Sequence, residues 1–191
     1  YGYDENTKYD IVYLMHGAGE TYEYWLTKMG TTTRNVLDIM IKNGLCDPVI
    51  AVATSWVSDP ASWEETPAED EQQPAATLAA AAAEEGEEED SPQGGGADLT
   101  GSYPIELRND IIPFIESNYP TYAEGDTSPE NLKATREHRA FAGFSMGSVT
   151  SIEVLKQCPD LFYYIGSYSF GTSGEAVNEA LSAPEYDDLE F

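Results

Sequence analysis

One short segment, Gly143-Phe144-Ser145-Met146-Gly147, constrains what this chain can fold into more than any other. It follows the apolar run Ala140-Phe141-Ala142 and precedes a stretch in which Val149, Ile152 and Leu155 recur at helical spacing. A strand must therefore become a helix across a single serine. So tight a corner forces that residue into a strained backbone angle, and glycines two positions either side remove the bulk that would block it. The helix beyond directs its first amides and a positive partial charge towards the corner. Ser145 is the candidate nucleophile.

The rest of the chain supplies the layers such a corner needs. Tyr9 to Met15 and Pro48 to Thr54 are short, nearly unbroken apolar runs, as expected of strands buried on both faces. Between them, Val36, Leu37, Met40 and Ile41 share a helical face over 33–43, with Gly44 as C-cap. Order resumes at Tyr103, where Leu107, Ile111, Phe114 and Ile115 predict a helix to Asn118, with Pro104 in its first turn and a kink at Pro113. Residues 121–135 read as loop. Residues 139–144 are a third strand, 146–157 a helix ended by Cys158-Pro159, and 162–169 a fourth strand. This alternation predicts an α/β fold, a parallel sheet with helices on both faces. The 191 residues suit one domain.

Composition narrows the partners. A formal charge of −26 argues against binding nucleic acid through its phosphates. Residues 58–101 hold 13 of the 35 acidic groups and no Lys, Arg or His, and are expected to form a low-complexity insert, disordered or a frayed helix. Its glutamate run reads as a solvated tract rather than a calcium loop, which needs oxygens at fixed offsets and a turn glycine. No apolar run approaches the ~18 residues of a membrane span. Cys46 and Cys158 are expected to be ordinary thiols, and no metal or cofactor is implied.

Around Ser145 the expected oxyanion donors are the Met146 N–H and, from the loop His16-Gly17-Ala18-Gly19, the Ala18 N–H, with the Gly17 N–H next. The chain has two histidines. His16 is expected to brace its loop rather than act as base, and His138 enters the third strand at the end away from Ser145. Asp187 and Asp188 read as solvent-facing rather than as a triad acid. Tyr22, Tyr24 and Trp25 follow the loop closely enough to stack on a sugar or an aromatic acyl group, or else to pack the loop onto the domain; Trp56 and Trp63 are open in the same way.

With these residues laid out, the chain resembles the esterase-D-type α/β hydrolases, and within them the feruloyl and acetyl-xylan esterases of the first carbohydrate-esterase family. The resemblance rests on YDIVYLMHGAGE (9–20), 48–54, IELRNDIIPFIESNY (105–119), REHRAFAGFSMG (136–147) and PDLFYYIGSYS (159–169). It implies a serine esterase acting through an acyl-enzyme on Ser145, with acyl esters of plant polysaccharide as substrate and an extracellular setting. The alternatives are a non-catalytic binding module of the same fold, or an acyltransferase. In the family the triad aspartate and histidine follow a strand that would come after Phe191. The expectation is therefore a partial domain over 1–191, lacking the last strands and inactive alone. Ser148 stands where the family usually has glycine; a hydroxyl there is tolerable, close to the helix packing.

Overall fold

The structure is a computed structural model that describes residues 2–28, 30–56, 95–169, 171–172, 174–186 and 189. Four strands, β1 (Asp10–Met15), β2 (Val49–Thr54), β3 (Arg139–Phe144) and β4 (Tyr164–Tyr168), form one sheet in the order β2-β1-β3-β4. Every pairing is parallel, with Leu14 beside both Ala53 and Ala142, and Gly143 beside Ser167. The chain leaves β1 towards β2, then returns past β1 to β3. That reversal opens a crevice beyond the carboxyl ends of β1 and β3, where ligands of open α/β sheets bind.

Helices α1 (Gly30–Lys42), α2 (Gly95–Glu106), α3 (Ile112–Asn118), α4 (Pro129–Ala134), α5 (Met146–Gln157) and α6 (Gly174–Leu181) surround the sheet. Right-handed crossovers place α1 on one face and α2, α3 and α5 on the other. The core lies under the second group: Ile11, Tyr13, Met15 and Phe141 point from the sheet into Tyr103, Leu107, Ile112, Val154, Leu161 and Phe162. The sequence pattern locates all four strands, because each is a local apolar run. It also ends α1 correctly. Gly44 has φ +65°, and the N–H groups of Gly44 and Leu45 return to the carbonyls of Ile41 and Met40, a Schellman cap.

Several boundaries and faces differ from expectation. Helix α2 begins at Gly95, well before Tyr103, and Pro104 lies near its end rather than in its first turn. Glycines at its start hide it from propensity, but burial of Thr100 and Tyr103 and packing on α5 hold it. Between α2 and α3 the chain takes a π turn over Leu107–Ile111, with the Ile112 N–H reaching back to the Leu107 carbonyl. Pro113 has no N–H to donate, and the wider turn accommodates its ring. The extra residue slips the helical phase, so Phe114 is 66% exposed while Ile112 and Glu116 are buried. Val36 likewise lies outside at 46%. The loop expected over 121–135 contains α4, started by the Ser128 hydroxyl accepting from the Asn131 N–H. Residues 57–94, which hold most of the acidic tract and Trp63, lie outside the described residues, as do Asp187 and Asp188. No helix of the described residues is long and apolar enough to cross a membrane.

Candidate active site

The corner after β3 is present and strained. Ser145 has φ 55° and ψ −119°, outside the regions open to most L-residues, and its side chain makes no capping bond to α5. Close approach explains the flanking glycines. A β-carbon at Gly143 would stand 1.9 Å from the Gly147 carbonyl oxygen, and one at Gly147 would stand 2.5 Å from that of His16. The helix can pass over the ends of β1 and β3 only because both side chains are absent.

The corner is tied to the end of β4. The Ser145 N–H donates to the Tyr168 carbonyl at 3.1 Å and to the Ser169 hydroxyl at 3.1 Å. Ser148, where a hydroxyl is expected to be tolerable, is fully buried and satisfied. Its hydroxyl lies between the Gly143 carbonyl (3.0 Å) and the Tyr168 carbonyl, which share its one proton. The small polar residues Gly147, Ser148, Thr150 and Ser151, with Ile152 and Val154, form the buried face of α5; Val149 and Leu155 are only half-buried.

The loop after β1 lies alongside. A β-carbon at Gly17 would be 3.2 Å from that of Ser145, so the Gly17 backbone and the serine are neighbours. Gly17 is buried and Ala18 exposed, and Met146 opens α5 beside them. The structure thus brings together Ser145, Met146, Gly17 and Ala18. Behind the loop, His16 is 2% exposed. One ring nitrogen, Nδ1, lies 2.7 Å from the Gly17 carbonyl, and the other, Nε2, 2.7 Å from the Ser55 hydroxyl. Burial holds its pKa below the usual histidine value, offset in part by the bond to Gly17 and the charge of Glu20. Trp56 meets this ring edge-on at 4.7 Å and donates its N–H to the Thr150 hydroxyl at 3.2 Å. Of the two uses open to Trp56, packing is the one the structure shows.

His138 is at the opposite end of the sheet. Its ring stacks on Tyr122 at 3.5 Å, and Nδ1 lies 2.7 Å from the Asp10 carboxylate. The aromatic residues divide as well. Tyr22 is 56% exposed. Tyr24 lies parallel to Phe144, the residue before the corner, at 6.1 Å between centroids, and Trp25 meets Tyr24 edge-on at 5.5 Å. Sequence reasoning gave no partner to Ser55, Ser169 or Phe144, because the contacts that set them at the site come from other elements. Among the described residues no group of three His, Cys, Asp or Glu could hold a metal ion. Cys46 and Cys158 are free thiols, the first half-buried and the second buried.

Comparison with known proteins agrees with this geometry. The esterase family model, described as "Putative esterase", matches residues 1–184. Endo-1,4-beta-xylanase Y of Acetivibrio thermocellus is 34% identical over 199 residues, which cover 97% of this chain and 15% of that protein. Among solved structures, a serine-to-alanine mutant of the feruloyl esterase module from Clostridium thermocellum, complexed with sinapinate, superposes with a TM-score of 0.64 at 30% identity, covering 95% of this chain and 53% of that one. A ferulic acid esterase from Anaeromyces mucronatus, complexed with ferulic acid, shares the fold at a TM-score of 0.57 and 24% identity, covering 87% of this chain and 48% of that one. The chain spans about half the length of these solved relatives. A strained serine between strand and helix, a glycine loop against it and a match over nearly the whole sequence lead to one conclusion: this chain belongs to the esterase family.

Proposed function

We propose that this chain carries the nucleophile and oxyanion hole of a serine carboxylic-ester hydrolase acting on feruloyl or acetyl esters of plant polysaccharide, in an extracellular setting. The observation that supports this most directly is the contact between Gly17 and the strained Ser145, which sets backbone amides beside an exposed hydroxyl. The substrate class rests on the likeness to feruloyl esterases.

In this reading the Ser145 oxygen attacks the ester carbonyl, and the Met146 and Ala18 N–H groups receive the developing oxyanion. One such donor contributes about 3 kcal/mol to transition-state stabilisation. The alkoxide then departs with a proton, and water hydrolyses the acyl-serine. The base is a histidine other than His16 and His138, because the first is closed between Gly17 and Ser55 and the second sits on Asp10 and Tyr122. In this reading the base is supplied from outside these 191 residues. Tyr24 and Phe144, with Trp25 and Tyr22 beyond them, form the aromatic side of the cleft that receives the acyl group.

The test compares this chain with the polypeptide as encoded, using methyl ferulate and an aryl acetate. The encoded polypeptide hydrolyses the feruloyl ester, Ser145→Ala lowers its kcat by about 10⁶, and this chain alone matches its own Ser145→Ala variant. Ser145-dependent turnover by the 191 residues alone would overturn the assignment of the base. A polypeptide that binds feruloyl sugars without cleaving them would make the protein a binding module.

A further inference from the structure

The two hydrogen bonds of His16 determine its protonation pattern. A backbone carbonyl only accepts, so the 2.7 Å contact between Nδ1 and the Gly17 oxygen requires a proton on Nδ1. A neutral imidazole then has a lone pair on Nε2, and the Ser55 hydroxyl, 2.7 Å away, donates to it. The ring is enclosed at 2% exposure, with the edge of Trp56 against it, so neither nitrogen is shared with bulk water. The Gly17 carbonyl thus decides that Nδ1 bears the proton, and Ser55, by holding Nε2, fixes the ring in the orientation that anchors that carbonyl.

The anchored carbonyl belongs to the peptide unit that joins Gly17 to Ala18. The unit is planar and trans, so its C=O and N–H point in opposite directions. With the carbonyl held inward by the buried ring, the Ala18 N–H is turned outward. Gly17 itself meets Ser145, and Ala18 is exposed. A Glu20 N–H at 3.3 Å from the same carbonyl closes a turn but does not replace the ring, which approaches closer.

We propose that Ser55 is a positioning residue for the oxyanion hole: its hydroxyl holds Nε2 of His16 and so keeps the ring where Nδ1–H anchors the Gly17 carbonyl inward, which turns the Ala18 N–H toward the space beside Ser145. The catalytic meaning of this relay rests on the esterase reading, while its structural statement does not. Ser55 lies just past β2, and nothing in its local sequence suggests a partner on the loop after β1. The relay places the end of β2 in control of a donor at the end of β1.

The chain's two histidines give an easily assigned nitrogen-15 ring spectrum. In the native chain His16 is expected to show a protonated Nδ1 and a bare Nε2. Ser55→Ala, which removes the partner of Nε2, shifts the Nε2 resonance and changes the residual dipolar coupling of the Ala18 N–H, and Ser55→Thr, which keeps the hydroxyl, restores both. A native His16 protonated on Nε2 overturns the proposal by itself, whether or not the variants fold. So does a Ser55→Ala chain with native ring shifts and native Ala18 coupling.

The encoded polypeptide supplies the catalytic readout. Ser55→Ala is expected to lower kcat about ten- to a hundredfold, the range for residues that orient a functional group through another, with KM nearly unchanged. Ser55→Thr is expected to recover most of that loss. An unchanged kcat in a variant whose ring shifts and Ala18 coupling have changed would overturn the catalytic role of the relay. Absence of any Ser145-dependent turnover in the native polypeptide would instead sink the esterase reading and leave the tautomer result standing.

Discussion

The α-carbon of Gly17 faces Ser145 so closely that a methyl group added there would stand 3.2 Å from the serine β-carbon. This contact joins the ends of β1 and β3 across the switch in strand order. It is tight but made with a side chain, which can give by a few tenths of an ångström. The glycines of the corner are different, since their neighbours are main-chain atoms at 1.9 Å and 2.5 Å.

The three positions should therefore separate by stability. Gly143→Ala and Gly147→Ala are expected to lower the unfolding free energy by at least about 3 kcal/mol, the upper range for overpacking, and Gly17→Ala by less than about 1 kcal/mol. Urea unfolding measures all three. Equal losses would mean that the corner does not rest on close backbone approach.

A buried ion pair holds the opposite end of the sheet. Arg139, at the start of β3, and Glu116 of α3 are each 1% exposed, and one guanidinium edge, Nε and Nη2, meets both carboxylate oxygens, at 2.6 and 2.9 Å. The Leu132 and Leu161 carbonyls take further Arg139 protons, and Tyr13 and Thr121 donate to Glu116. Glu116→Ala leaves the guanidinium buried without a counter-charge, and is expected to cost about 3–5 kcal/mol in denaturant unfolding. Replacing both partners with apolar residues of similar volume should cost much less. If the double variant is no better than the single one, the charge is not what matters.

His16 makes stability depend on pH in a defined window. Its folded pKa is depressed by burial, so above the ordinary value of 6.5 both states are neutral and its contribution is complete. As pH falls below 6.5 the unfolded chain takes up the proton first, and stability declines until the folded pKa is passed. Glu20 opposes the shift without cancelling it. Unfolding free energies measured from pH 7 to pH 5.5 should fall more steeply in the native chain than in His16→Asn. Parallel slopes would show that the ring titrates alike in both states.

The two thiols should differ in reactivity. Burial pushes the Cys158 thiol up to about 11, against a partial opposing effect of Arg108. Cys46 is only half-buried. At pH 8 iodoacetamide is expected to modify Cys46 in the folded protein and Cys158 only after unfolding, as read by peptide mass. Equal rates in the folded state would contradict the burial of Cys158.

The sequence by itself determined what depends on neighbours along the chain. Four apolar runs became four strands, and Gly143 and Gly147 around Ser145 became a strained corner, because strand burial and a tight turn impose residue types at short, fixed spacing. Tertiary structure alone decided the rest. The π turn before Pro113 slipped a helical face that periodicity had assigned to Phe114. The partners of His16 and Arg139 lie 39 and 23 residues away, at Ser55 and Glu116. For Ser148 the sequence named a tolerable hydroxyl but no partner, and β4 supplied the carbonyl. A buried polar group must find a partner wherever the fold brings one, and only the path of the whole chain decides which residue that is.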